Sequence, residues 1–219
     1  MVTLLERMNK YSGLSSWAVW GDAHPSSPFN SHSDLAFPQN APDVLNPGVV
    51  FVAMNPGGSL DETGLEGLHR SDVQMPPWSN FHNAGRCRDY RLAEALRDTP
   101  FWGGYMTDLF PFSTSRSEEF KKVVSEYPAL VQRWIKELED ELADLGVDDP
   151  LLLCVGRQSE TQAKKYMQTD ETRITSKIYR RIEYVPHYSG SNRHLQEGAK
   201  EQGLTADEYF REYFGRYLP

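Results

Sequence analysis

A chain of 219 residues is long enough for one domain with a sizeable core, and its net charge of −8 argues against a general affinity for nucleic acid. No apolar run approaches the ~20 residues that a membrane-spanning helix needs, and the amino terminus lacks the apolar core of a secretory signal. The two cysteines, Cys87 and Cys154, form no CxxC motif, so we expect a cytoplasmic protein with unpaired thiols, and they are too few to ligate an iron–sulfur cluster. We also expect no membrane partner and no metal or other cofactor.

The amino-terminal half of the chain predicts few regular elements. A short helix within residues 1–20 is followed by WAVW, a candidate edge strand, and residues 21–48 are rich in Pro, Ser, Asn and Asp, which is typical of a long loop. Val49–Met54 is an apolar, β-branched run bounded by Pro and Gly, the pattern of a buried parallel strand. Residues 57–85 predict a second long irregular stretch, and helical character returns at Arg88–Arg97.

The second half alternates strands with helices. Tyr105–Leu109 predicts a strand, and Ser117 is a plausible N-cap of the helix that follows. Pro128 predicts the start of the next helix, whose apolar face ends at Gly146. Two further strands and the helices beside them complete the pattern: Leu151–Val155, a helix around Glu160–Met167, Arg181–Pro186, and a C-terminal packing helix within 196–219.

This alternation predicts one three-layer α/β/α domain over residues 1–219, built around a central four-stranded parallel sheet. Residues 1–48 would supply the amino-terminal helix and long loop, 49–195 the core of the domain, and 196–219 the C-terminal helix.

Charge is unevenly distributed along the chain. Glu137–Asp149 contains seven acidic residues and no Lys or Arg, whereas two segments are rich in basic residues. Such runs are usually solvated faces, so they permit nucleic-acid binding without requiring it. We expect the acidic helix to lie away from the crevice at the carboxyl ends of the strands, and five arginines to line the rim of that crevice: Arg86, Arg88, Arg180, Arg181 and Arg193.

The end of the first strand points to a site. In open α/β sheets the carboxyl ends of parallel strands face the ligand crevice. Pro56 restricts Asn55 to extended conformations, and Gly57 and Gly58 let the backbone pass close to a ligand. Asn55 is therefore expected at the mouth of a site, although an Asn-Pro-Gly turn that merely leaves the sheet is the alternative.

Four predicted strand ends have distinctive sequences in a fixed order: AMNPG at 53–57, YMTDLFP at 105–111, LCVGRQ at 153–158 and VPHYSGSNR at 185–193. Together they resemble the uracil-DNA glycosylase superfamily, and most of all its mismatch-specific uracil/thymine branch. Asn55-Pro56-Gly57 is similar to the GINPG motif, and Ser189-Gly190 with Arg193 to NPSGLSR. His187 stands where other branches have the histidine of HPSPLS, and LCVGRQ is similar to the LGKQ strand end.

The resemblance, which covers about residues 49–195, implies a uracil-DNA glycosylase-like fold and a hydrolase of base-excision DNA repair. Such an enzyme cleaves the N-glycosidic bond of uracil or of another modified or mismatched base in DNA. Asn55 would hold the attacking water through its side-chain amide, and His187 would donate to the departing base without needing to be cationic. His187 as a cap of the last strand is the structural alternative.

The remaining candidates would contact the base or the DNA. Phe81 would stack on the base, with the hydrophobic core as the alternative place for its ring. Met54, Gly57 and Asp108 complete the base-binding set. The DNA contacts would come from backbone amides and polar or basic side chains, namely Gly58, Ser189, Ser191, Arg193 and Arg86.

Three positions depart from the family pattern. Ser191 replaces the leucine that fills the gap left by a flipped base, which weakens extrusion from duplex DNA and favours single-stranded or damaged DNA. Tyr188 replaces a proline. Asp108 replaces the asparagine that reads uracil in several branches, and an ionised carboxylate, which only accepts hydrogen bonds, suits the exocyclic amine of cytosine or adenine. A structural ion pair of Asp108 is the alternative.

Two functions of different classes follow. The first is a DNA glycosylase-like hydrolase. The second is a non-catalytic protein of the same fold that binds a nucleotide, a nucleobase or nucleic acid. A likeness limited to the fold is the third and weakest interpretation.

Overall fold

A five-stranded sheet forms the centre of the protein in a computed structural model, which describes residues 2–21, 41–82, 89–188 and 193–217. The strands, in chain order, are β1 (Ser16–Trp17), β2 (Asn46–Ala53), β3 (Gly104–Asp108), β4 (Leu151–Val155) and β5 (Ile182–Val185). Their order across the sheet is β1-β3-β2-β4-β5, and β2 to β5 are mutually parallel.

The prediction of a four-stranded parallel sheet is therefore incomplete. The four predicted strands are all present, but β1 pairs antiparallel with β3 through Ser16 and Trp17, so the sheet is mixed. This short strand covers the edge of β3, whose backbone would otherwise present unpaired hydrogen-bonding groups.

Helices flank the sheet. They are α1 (Leu4–Met8), α2 (Tyr90–Leu96), α3 (Ser117–Glu126), α4 (Pro128–Asp144), α5 (Arg157–Ala163, continued by a π-helical turn over Lys164–Gln168), α6 (Arg193–Gln202) and α7 (Ala206–Gly215). Among the described residues, 3₁₀ turns lie in the long connections at Ala41–Val44, Glu62–Gly67 and Arg70–Asp72, and another, Asn9–Tyr11, follows α1. Within the described ranges, none of the helices combines the length and apolarity needed to cross a membrane.

The helix ends follow local chemistry, with two corrections. Pro128 starts α4 as predicted, and Gly146, at φ +76°, takes the left-handed conformation that ends it. Ser117 is the first helical residue of α3 and not its N-cap, because the chain enters the helix through Arg116. The predicted C-terminal helix is two helices, since α6 ends before Gly203 at φ +70°.

Two apolar clusters lie on opposite faces of the sheet because successive side chains of a strand alternate. Val50 and Val52 of β2 belong to the first cluster, together with the inner face of α4. Val49 and Phe51 belong to the second cluster, which α2 and α7 cover. Helices on both faces make this an α/β structure compatible with three α/β/α layers.

A buried polar network joins α4 to the end of β3. Glu141 is fully buried and accepts hydrogen bonds from Ser15 Oγ (2.9 Å), Tyr105 OH (2.8 Å) and Arg70 Nε (2.8 Å). Arg70 also donates from Nη1 to the carbonyl oxygen of Asp108 at 2.7 Å. The acidic segment is therefore not a uniformly solvated face, and part of it supports the strand end that precedes the candidate site.

Candidate functional site

The predicted strand ends meet at one edge of the sheet. Ala53 of β2 pairs with Asp108 of β3, and Val155 of β4 pairs with Val185 of β5, so the residues that follow these strands lie along a common edge. Since β4 lies between β2 and β5, the carboxyl ends of β2 and β5 are roughly 10 Å apart in the plane of the sheet.

Asn55 is held in one orientation by its own amide. Its Nδ2 donates to the carbonyl oxygens of Pro56 and Thr114, each at 2.8 Å, and the amide of Thr114 donates in turn to the carbonyl of Pro56 at 3.1 Å. A carbonyl oxygen can only accept, so the nitrogen must be the atom that faces both of them. The Oδ1 oxygen of this half-buried side chain is consequently the atom available to a water or a ligand.

His187 follows β5, where burial favours the neutral form of its imidazole. Burial lowers the pKa of the imidazole to about 4. The ring stacks on Tyr188, with centroids 4.8 Å apart and planes 20° from parallel. Gly156, just after β4, lies so close that a Cβ on it would be 3.7 Å from the His187 Cβ. A neutral imidazole can still supply one N–H donor, as the predicted role requires.

Asp108 is enclosed at the end of β3, with 2% of its surface exposed. Asn80 donates from Nδ2 to Asp108 Oδ2 at 2.8 Å, and burial raises the pKa of the carboxyl to about 7. The guanidinium of Arg70 pairs with Glu141 instead and reaches only the backbone carbonyl of Asp108. The predicted structural ion pair of the Asp108 side chain is therefore replaced by a hydrogen bond to an amide.

Asn80 is a residue of this site that the sequence did not indicate. Its side chain donates to the carbonyl oxygen of Leu14 as well as to Asp108, and its Oδ1 accepts the amide of Phe81 at 3.1 Å. The one signal was its position immediately before Phe81, and nothing local links it to Asp108, which is 28 residues away.

Phe81 and Met54 lie on different sides of the sheet. The Phe81 ring is buried in the second apolar cluster, which favours the core alternative for it, and its backbone has φ +68°, a strained conformation for an aromatic residue. Met54 is half-buried and packs against the first cluster, while its carbonyl accepts the amide of Phe110 at 3.1 Å.

The predicted DNA contacts are only partly described. Gly57 is exposed, whereas the amide of Gly58 donates to Ser115 Oγ at 3.0 Å. Arg193 begins α6 with 85% of its side chain exposed and pairs with Glu197 at 2.6 Å. Three of the predicted contacts, Arg86, Ser189 and Ser191, lie outside the described residues, as do Arg88 and Cys87.

Two arginines expected on the rim lie at the wrong end of the sheet. Arg180 and Arg181 precede β5, and the Arg181 carbonyl accepts the amide of Leu152 at the start of β4. A four-residue strand spans ~13 Å, so both lie near the opposite edge. The prediction failed because it considered closeness in sequence to His187 and ignored the direction of the strand.

Arg157, by contrast, lies at the strand-end edge. It follows β4, its guanidinium sits 3.8 Å from the centroid of the Tyr184 ring, and it pairs with Glu160 at 2.7 Å. The sequence offered it only as part of the LCVGRQ motif. Stacking on Tyr184 and pairing with Glu160 together hold this cation at the end of β4.

Other chemistry in the described ranges is sparse. They contain no group of three or more His, Cys, Asp or Glu side chains that could hold a metal ion. Burial raises the pKa of the Cys154 thiol to about 12, so it is no nucleophile. A cavity of about 250 Å³ is lined by Lys10, His69 and Arg70, and one of about 410 Å³ by Val131 and Arg173. Neither is lined by Asn55, Asp108 or His187.

No protein-family model matches the chain, and neither the curated proteins nor the solved structures gave a match. A proposal for its function therefore depends on the strand-end motifs and on the geometry of the strand-end edge.

Proposed function

We propose that this protein is a DNA glycosylase-like hydrolase that cleaves the N-glycosidic bond of uracil, or of another modified or mismatched base, in single-stranded or damaged DNA. The observation that supports this most strongly is the orientation of Asn55. Two backbone carbonyls hold its amide nitrogen, so that an acceptor oxygen is fixed at the carboxyl edge of the sheet, on the same edge as a neutral His187.

In the proposed reaction, a water molecule donates a hydrogen bond to Asn55 Oδ1, which holds the water in position. As the bond between the sugar C1′ and the base nitrogen breaks, the electron pair leaves with the base, and the water oxygen bonds to C1′ and releases a proton to solvent. An amide is a poor general base, so the reaction relies on the stability of the departing base. The N–H of neutral His187 donates to the base carbonyl on which negative charge develops.

Asp108 would read the edge of the base. Its pKa of about 7 means that both protonation states are populated near neutral pH. The protonated carboxyl can donate to the O4 of uracil, whereas the carboxylate accepts from the exocyclic amine of cytosine. This makes the replacement of the family asparagine by Asp108 compatible with uracil at and below neutral pH.

A non-catalytic nucleobase-binding or nucleotide-binding protein is the second candidate. It is favoured by the pairing of the predicted cations and donors that follow the strands: Arg157 pairs with Glu160, Arg193 with Glu197, and the Gly58 amide with Ser115. Paired cations attract a polyanion less strongly than free ones, so this pairing suits a small ligand better than a DNA strand.

A panel of oligonucleotides separates the two functions. Single- and double-stranded substrates containing uracil, hypoxanthine or a mismatch are incubated with excess protein, and abasic sites are revealed by alkaline cleavage. The proposal expects cleavage by the wild type, slow cleavage by Asn55→Ala with nearly unchanged binding, and normal cleavage by the control Asn46→Ala, which alters an asparagine at the start of β2. Binding of a nucleobase without cleavage of any substrate would favour the second candidate.

A further inference from the structure

We propose that Asn80 is a positioning residue that fixes the Asp108 carboxyl through one oxygen, leaves the other oxygen for the base, and so sets which nucleobase edge the site accepts. This inference rests on the proposed function, because it concerns the base that the same site would bind.

The proposal is supported by the hydrogen bonds of the Asn80 side chain, which involve both its nitrogen and its oxygen. Nδ2 donates to Asp108 Oδ2 at 2.8 Å and to the carbonyl of Leu14, and Oδ1 accepts the amide of Phe81. Both ends of the side chain are engaged, so it cannot flip without placing its oxygen against a carbonyl and a carboxylate. Within the described ranges no hydrogen bond reaches Asp108 Oδ1, so in this proposal Oδ1 is the oxygen that the base contacts.

The charges around Asp108 act in opposite directions. The Asn80 hydrogen bond and the cation of Arg70 favour the ionised carboxyl, whereas burial and the carboxylate of Glu141 favour the neutral one. Arg70 is itself paired with Glu141 on α4, so these two charges largely offset each other at Asp108. A substitution of Asn80 therefore changes the equilibrium between the ionised and the neutral Asp108 carboxyl without adding or removing a charge.

A pH-dependent base preference follows. Below about pH 7 the neutral carboxyl donates and the site accepts the O4 of uracil, and above it the carboxylate accepts an exocyclic amine. Removing the Asn80 donor destabilises the carboxylate, so Asn80→Ala should extend uracil preference toward higher pH. Loss of a hydrogen bond to a charged carboxyl corresponds to a change of about one unit in its pKa, and we expect the midpoint of the base preference to shift by the same amount.

The test measures the ratio of uracil to cytosine cleavage against pH for the wild type, Asn80→Ala, Asp108→Asn and the double variant. The midpoint should move upward by about one pH unit in Asn80→Ala. Asp108→Asn and the double variant, which lack the carboxyl, should show no such midpoint. Asn46→Ala is the matched control: Asn46 also donates to a carbonyl (Pro100, 2.7 Å) and accepts a nearby amide (Gly48, 3.1 Å), but it contacts no carboxyl.

A second measurement does not depend on activity. Titration of the Asp108 carboxyl by ¹³C NMR, assigned by comparison with Asp108→Asn, should show the same upward displacement in Asn80→Ala. If Asn80→Ala is unstable, the isosteric Asn80→Asp, which replaces the donor by an acceptor, should displace the midpoint in the same direction.

The outcomes separate the two proposals. A displaced carboxyl titration without base release supports the role of Asn80 and contradicts the glycosylase. Base release with an undisplaced titration and an unchanged preference overturns the role of Asn80. A loss of activity that is equal at every pH would also overturn it, because that is the result of a purely structural contact.

Discussion

Replacing Arg70 by Met tests whether the buried network supports the strand-end site. The guanidinium is 1% exposed and Glu141 is fully buried, and the variant removes the donors to Glu141, to Thr107 Oγ1 and to the carbonyl of Asp108. Glu141 keeps Ser15 and Tyr105 as donors but loses its cation. Breaking one partner of such a pair costs about 3–5 kcal/mol of the free energy of unfolding.

The assay is urea denaturation followed by tryptophan fluorescence at pH 7. Arg70→Met/Glu141→Leu should recover most of the stability, because an apolar pair of similar volume replaces the buried ions at little net cost. The exposed pair of Lys122 and Glu62 is the control, and Lys122→Met should leave the unfolding midpoint unchanged. A loss below about 1 kcal/mol for Arg70→Met, or a double variant less stable than either single one, would show that this buried pair does not stabilise the fold as described.

Three further predictions concern the site and a helix end. His187→Ala should raise the activation free energy of single-turnover base release by about 2–4 kcal/mol, the scale for losing one preorganised donor, and an unchanged rate would remove His187 from the chemistry. Asp108→Asn should shift base preference toward uracil above pH 7. The pKa of Asp108 is raised to about 7 in the folded protein, so its contribution to the free energy of unfolding is complete below about pH 4. That contribution, up to about 4 kcal/mol, is lost as the pH rises to 7. Denaturation of Asp108→Asn at a series of pH values should lack this dependence of the free energy of unfolding on pH. Gly146→Ala should cost about 1 kcal/mol in thermal or urea unfolding, because φ is +76° there, and a stabilised variant would contradict the helix end described.

Local sequence patterns correctly predicted two of the buried strands and both ends of α4. Val49–Met54 and Leu151–Val155 are apolar runs bounded by turn residues, and both are strands in the structure. Pro128 and Gly146 mark the ends of α4 because their backbone preferences act at single positions. The pairing of Ser16–Trp17 with β3 could only be suggested, since a two-residue strand has no period of its own and depends on its partner.

Long-range contacts account for what the sequence did not indicate. Glu141 appeared to belong to a solvated acidic run, yet contacts with Ser15, Tyr105 and Arg70, all distant along the chain, hold it in the core. Asn80 can be identified as a residue of the site only from its hydrogen bond to Asp108 in the folded chain. Arg180 and Arg181 were misplaced because charge clustering along the chain takes no account of the end of the strand at which the residues lie.

The proposed reaction is hydrolysis of an N-glycosidic bond by a water molecule that Asn55 holds. The most direct measurement is mass spectrometry of the products of a single turnover on a single-stranded oligonucleotide with one uracil, for the wild type and for Asn55→Ala. We expect free uracil and an otherwise intact abasic strand with the wild type, and a bound but largely uncleaved strand with the variant. Equal release of uracil by both proteins, or a wild type that releases no base from this or any other substrate of the panel, would contradict it.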